Sequence, residues 1–177
     1  MFYMIDSHCH LEDKVFDPDR EQLIEKLRKE LRAVVTVATH PNDLQKVIEL
    51  SKRYRDFVYA CAAIHPEYVK EISEKQISDF INRVHENKDE LVAIGECGLD
   101  YFWVKESEYR EEQKRLFTRF IELSKKLGKP LVVHTRDAHK EVLDILESNN
   151  AKRVALHMWG GKEFTNRIID LGYNITV

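Results

Sequence analysis

Apolar residues follow two rhythms along this chain. Short, nearly unbroken apolar runs rich in β-branched residues occupy positions 3–6, 33–39, 58–64, 92–95, 131–134, 154–157 and 173–177. They predict strands buried on both faces, as in a parallel sheet covered by helices. Between them the apolar residues recur every three or four positions, which predicts helices packed against that sheet. Leu23, Ile24, Leu27 and Leu31 form one stripe, and Leu44, Val47, Ile48 and Leu50 a second. Ile77, Phe80, Ile81 and Val84 form a third, opened by Ser73 and Gln76 at capping-box spacing. A long segment, 107–127, carries Leu116, Phe117, Phe120, Ile121 and Leu127 on one face and stops at Gly128, with Pro130 beyond. Val142, Leu143, Ile145 and Leu146 follow, then Phe164, Ile168 and Ile169 before Gly172. Alternating strands and helices predict repeated βα units in a single domain over residues 1–177. The architecture is either an open doubly wound sheet or a (βα) TIM-type barrel. A full barrel usually takes about 250 residues. The pattern here supplies about seven strands with the eighth missing, so a barrel of this chain is expected to be C-terminally incomplete, its open sheet edges available for association between copies.

Composition narrows the class. The 177 residues are 43% hydrophobic and 33% charged, which suits one folded domain with a sizeable core. The longest apolar runs, 33–38 and 57–64, fall well short of the roughly 18–20 residues that span a bilayer. The opening MFYMIDSHCH has neither the basic start nor the sustained apolar stretch of a secretory signal, so the cytoplasm is the expected compartment. A net charge of -3 argues against sequence-independent coating of nucleic acid and leaves room for a local basic cleft. Cys9, Cys61 and Cys97 show no CxxC spacing and are expected as reduced thiols filling the core.

The histidines choose between the two architectures. His8, His10, His40, His65, His134 and His157 fall at or close to the C-terminal ends of predicted strands, whereas His85 and His139 fall on predicted helices as surface residues. Strand C-termini carry function in both folds, but histidines from the first, third, fifth and sixth strands meet only if the sheet curls round. A barrel with a metal site at one end is therefore the expected arrangement. In His8-Cys9-His10, alternate residues of an extended strand face the same side, so both imidazoles reach one metal while Cys9 points away. Glu96, directly after an apolar strand and flanked by Gly95 and Gly98, is the candidate bridge, because a carboxylate can hold two cations where an imidazole cannot. Asp100 is read either as a catalytic carboxylate or as a turn residue supporting the site. Arg136, two positions after His134, places a guanidinium fork where it suits a phosphate or carboxylate of the substrate. His65, held by Pro66, is read as touching substrate, and Trp159 as lining the mouth or packing. His40, before Pro41, is read as a turn residue.

Taken in order, His8-Cys9-His10, Ile64-His65-Pro66, Gly95-Glu96-Cys97-Gly98-Leu99-Asp100-Tyr101, His134-Thr135-Arg136-Asp137-Ala138 and His157 resemble the TatD family of metal-dependent deoxyribonucleases, among the amidohydrolase-like TIM barrels. The resemblance covers essentially the whole chain. It implies two divalent metal ions (Zn, Mn or Mg), with His8 and His10 holding one, His134 and His157 the other, and Glu96 bridging. It also implies DNA as substrate, its phosphodiesters hydrolysed by metal-activated water. Two departures accompany it. His157-Met158-Trp159-Gly160-Gly161 stands where the family reads His-Cys-Phe-Ser-Gly. The family's catalytic aspartate follows the eighth strand, and no counterpart follows Val177. Two other readings fit the same residues: an amidohydrolase-type hydrolase acting on an ester, lactone or amide, and a metal-binding scaffold without catalytic activity.

Overall fold

The computed structural model describes residues 4–176. Seven strands, β1 (Met4–Cys9), β2 (Leu31–Ala38), β3 (Val58–Ala62), β4 (Leu91–Asp100), β5 (Leu131–Arg136), β6 (Val154–Leu156) and β7 (Asn174–Ile175), form one sheet. Six helices connect them: α1 (Arg20–Glu30), α2 (Leu44–Arg53), α3 (Glu74–Glu86), α4 (Glu108–Leu127), α5 (His139–Ser148) and α6 (Thr165–Leu171). Every neighbouring pair is parallel, and the strand order follows the chain from β1 to β7 without reversal. A doubly wound sheet reverses its order at a switch point, so that alternative is excluded.

The sheet is curled. On a flat sheet with strands about 4.8 Å apart, the ends of β1 and β6 would be separated by roughly 24 Å. Instead the ring of His8, in β1, stacks on that of His157, just after β6, with centroids 3.7 Å apart. The architecture is a curled half-barrel, α/β and TIM-type, with its helices outside.

The core follows the two rhythms of the sequence. Val34, Val37 and Ala38 of β2 and Ala60, Cys61 and Ala62 of β3 are buried, and small side chains here let α2 and α3 approach the sheet. Phe80 of α3 meets Phe120 of α4 edge to face at 6.2 Å, and Phe117 is buried beside them. Each such ring contributes on the order of 1.5–3 kcal/mol through burial. The capping box is present: Gln76 N–H donates to Ser73 Oγ at 3.4 Å, and Ser73 N–H donates to Gln76 Oε1 at 2.9 Å.

Several boundaries differ from the sequence reading. Leu31 opens β2 rather than closing the stripe of α1. β1 runs on to Cys9, so His8 lies inside the strand. β4 runs on to Asp100, five residues beyond its predicted end, and Glu96 sits within it rather than after it. Tyr3 and Val177, the outer ends of the first and last predicted strands, lie outside the described residues.

Candidate metal centre

Glu96 owes its position to a bulge in β4. Ile94 pairs with Leu131 and Cys97 with Val133, so three steps along β4 match two along β5 and one residue is extra. A bulge bends its strand and re-aims the side chain next to it. The bulge depends on glycine. Gly95 and Gly98 sit at φ +152° and +148°, and a Cβ would stand 2.6 Å from the Val132 carbonyl oxygen at the first and 2.0 Å from that of His134 at the second. Two thiols satisfy carbonyls beside the kink: Cys61 Sγ donates to Gly95 O at 3.1 Å and Cys97 Sγ to Val132 O at 3.8 Å. Burial pushes both thiols above their ordinary range, and pushes Cys9 up to about 12, so all three stay protonated and act in packing.

The carboxylate of Glu96, 5% exposed, divides its oxygens between two histidines. Oε2 lies 3.2 Å from His8 Nε2, and Oε1 lies 3.0 Å from His134 Nδ1. The other nitrogen of His134, Nε2, is 2.8 Å from Asp100 Oδ2. Asp100 is fully buried, and its Oδ1 accepts from the N–H groups of Phe102 at 3.0 Å and Trp103 at 2.7 Å. Its backbone is clamped by Gln113, which accepts from Asp100 N–H and donates to Asp100 O, both at 3.0 Å, and donates to Pro66 O at 3.2 Å. His65 crowds His134 edge to face, with centroids 4.2 Å apart.

Electrostatics separates these groups. Burial opposes the charge on Glu96, but hydrogen bonds from His134 and His8 outweigh it and hold the carboxyl far below the usual carboxylate range. Burial alone would lower His134, yet its bonds to Asp100 and Glu96 raise it to about 9. His65 loses on both counts, pushed down to about 4 by burial and by its neighbour His134. His157 is lowered by burial and by His8.

Two sets of donor atoms lie within 4.8 Å of one another: His8, Glu96 and His157, and His65, Glu96 and His134. Glu96 belongs to both. His8 turns Nε2 towards Glu96 and stacks on His157, while its buried Nδ1 has no hydrogen-bond partner among the described residues; two imidazoles about one carboxylate are a donor set that suits a divalent cation.

His10 stands a step outside these sets. Its ring is 5.2 Å from that of His8 by centroid, and its Nδ1 lies 2.9 Å from Glu12 Oε1. Glu12 in turn accepts from Thr36 Oγ1 at 2.6 Å, and Thr36 accepts from Leu11 N–H at 3.0 Å. A carboxylate on one ring nitrogen aims the other. Glu12 escaped the sequence reading, although Thr36, a polar residue inside an apolar strand, marks that some buried group needs a partner.

The remaining residues separate by place. Arg136, exposed at the end of β5, lies with its guanidinium 4.0 Å from the centroid of Phe102. Trp159 packs 4.7 Å from His139 and 6.5 Å from Phe164, with Nε1 donating to Gly161 O, and does not enter the histidine cluster. His139, read as a surface residue, is thus half-buried against Trp159 because Gly161 allows close approach. His40 Nδ1 accepts from Asn42 N–H at 3.2 Å, as a turn residue does, and its ring faces Tyr68 at 5.0 Å. An open cleft of about 780 Å³ adjoins the cluster, with His10, Lys14, His40, Lys46, Tyr68 and Glu96 on its walls.

Comparison with known proteins places this geometry. A family model described as TatD related DNase matches residues 5–177. The human protein named deoxyribonuclease TATDN3 is 34% identical over 168 residues, covering 90% of this chain and 61% of its own length. An uncharacterized metal-dependent hydrolase of Methanocaldococcus jannaschii is 32% identical over 174 residues, covering 98% of this chain and 66% of its own. The crystal structure of the TatD homolog YjjV from Escherichia coli superposes with a TM-score of 0.86 at 25% identity, covering 97% of this chain and 66% of that one. The chain therefore spans about three fifths of the length of the curated relatives it matches.

Proposed function

Because this chain belongs to the family of TatD-related DNases, we propose that it takes part in metal-dependent hydrolysis of DNA phosphodiesters. The observation that carries the reading is the divided carboxylate of Glu96, one oxygen on His8 and the other on His134. A charge held between two groups of imidazoles suits a bridge between two divalent cations, Zn, Mn or Mg. His8 and His157 on one side, and His134 and His65 on the other, would serve as the ligands beside Glu96, whereas the expected pairing of His8 with His10 and of His134 with His157 gives way because the curled sheet stacks His157 on His8 and leaves His10 one step outside, on Glu12. Divalent cations at such a centre supply an activated water and neutralise charge on the phosphate oxygens.

The protein's own groups have distinct parts. Asp100, expected as a possible catalytic carboxylate, instead fixes the ring of His134, its two oxygens being taken by His134 and by the N–H groups of Phe102 and Trp103. Glu12 fixes His10 in the same manner. Arg136 offers a permanently charged fork to a phosphate oxygen. Trp159 shapes the mouth from behind, through its packing on His139. We read residues 1–177 as one barrel-type domain. No helix among the described residues is long and apolar enough to cross a membrane. The three unpaired cysteines suit a reducing compartment such as the cytoplasm.

The test is hydrolysis of a labelled DNA oligonucleotide by the purified chain, with each of Zn, Mn and Mg and after chelation. Cleavage that appears with metal and vanishes with chelator is expected, at a low level for this chain by itself. A chain that binds divalent metal and shows no metal-dependent cleavage at any level contradicts the reading.

A further inference from the structure

The turn after β4 carries a feature that the metal centre does not use. Trp103 is 61% exposed and Phe102 37% exposed, side by side, with ring centroids 4.8 Å apart and planes nearly perpendicular. Large aromatic rings left in water beside a reactive centre mark a binding surface more often than isolated apolar residues do. The rings are held in place from below. Both backbone N–H groups are spent on Asp100 Oδ1, and the other oxygen of that carboxylate meets His134. The turn is thus one side chain removed from the histidine cluster.

Two cations accompany the rings. The Arg136 guanidinium lies 4.0 Å from the centroid of Phe102 and 5.4 Å from that of Trp103, and Lys105 Nζ lies 5.8 Å from Phe102. Both cations lie against the rings, and no ion pair of either is found among the described residues. An exposed indole, a second ring that braces it, and two uncommitted positive charges form a surface complementary to a flat π-face joined to an anion.

We propose that Trp103, braced by Phe102 and flanked by Arg136 and Lys105, is a stacking platform for an unstacked nucleobase next to the phosphodiester that enters the metal centre. The proposal rests on the reading of DNA as substrate and adds to it the residue that grips the base. Stacking on an indole is tolerant of base identity, because every base presents a π-face. The phosphate attached to that base then falls to Arg136. Trp103 is on this account a binding residue, acting on affinity rather than on the reacting atoms.

Fluorescence anisotropy of end-labelled strands tests this. The probes are a five-residue thymidylate and a strand with the same number of phosphates in which every base is replaced by an abasic analogue. The full chain is titrated in chelator so that nothing is cleaved. The thymidylate is expected to bind roughly tenfold more tightly than the abasic strand. Trp103→Ala is expected to bind both alike, at the abasic level, and Trp103→Phe to keep most of the preference. A wild-type chain without preference for the base-bearing strand, or a Trp103→Ala chain that retains it, overturns the platform. Cleavage of both strands after Mn is added separates the two failures. Equal binding with DNA still cleaved removes the platform alone, whereas neither binding nor cleavage of either strand removes the DNA reading with it.

Discussion

At the scale of single residues the site is a contest between burial and pairing, and Glu96 shows which side wins. Its carboxylate is almost wholly buried, an arrangement that costs several kcal/mol unless the charge is met on every side. His8 and His134 meet it here. Glu96→Gln keeps the shape and removes the charge, so bound metal measured by emission spectroscopy is expected to fall from two ions towards one. Hydrolysis should fall on the order of 100-fold or more, and unchanged metal content would refute the bridge. A pH prediction follows for the metal-free chain. His134 is raised from 6.5 to about 9, so its stabilising share is complete below pH 6.5 and is lost as pH rises through 9. His65 is lowered from 6.5 to about 4, so the unfolded chain takes up a proton that the folded chain refuses, and stability falls as pH drops from 6.5 towards 4. Urea midpoints are expected to peak near pH 6.5, with each limb on the order of 2 kcal/mol. His134→Gln should flatten the alkaline limb and His65→Gln the acid limb, and a flat profile in the parent chain would contradict both assignments. His8, His134 and His157 were legible because they sit at or near strand ends, where the topology itself implies convergence, whereas Glu96 joins them from within β4 through the bulge at Gly95. Glu12 and the closeness of His65 to the cluster were not legible, since they depend on which neighbouring strand supplies Thr36 and how tightly His134 turns.

At the scale of elements, the alternation of buried apolar runs and helical stripes made the fold readable, because a strand covered on both faces leaves no other pattern. The ends of strands were less readable. Gly95 and Gly98 look like loop signals around Glu96, yet pairing with β5 continues through them to Asp100. The physical reason is that glycine here serves close approach within a strand rather than a chain reversal. Gly98→Ala is therefore a test of β4 as an element. The added methyl would stand 2.0 Å from the His134 carbonyl oxygen, and backbone of a central strand cannot yield as a flexible side chain can. A loss of about 3 kcal/mol or more in chemical denaturation is expected, with metal affinity lost alongside. Gly160→Ala meets only His139 Nε2, at 3.8 Å, and should leave both nearly unchanged. Equal, small effects from the two substitutions would mean that the bulge does not hold the site together.

For the whole molecule, the centre is also a tie between distant parts of the chain. His8 comes from β1, His65 follows β3, Glu96 lies in β4, His134 in β5, and His157 follows β6. Sequence separations of up to 149 residues, from position 8 to position 157, are closed at one point. The groups gathered there do not all favour that closure by themselves. His8 and His157 stack at 3.7 Å, and burial together with the nearby His8 lowers the basicity of His157. A cation exchanges that competition for attraction, and it binds the folded arrangement far better than an unfolded chain in which the ligands are scattered. Linkage then sets the size of the effect. Metal at 100 times its dissociation constant stabilises the fold by about 2.7 kcal/mol. For a domain of this length that raises the melting temperature by roughly 5–10 °C. Thermal melts with Zn, Mn or Mg in excess, set against the same chain in chelator, are expected to show that rise, and Glu96→Gln to show about half of it or less. A melting temperature indifferent to divalent metal in the parent chain would mean that the curled sheet closes on its own contacts, and that the histidines at its end are held for packing rather than for an ion.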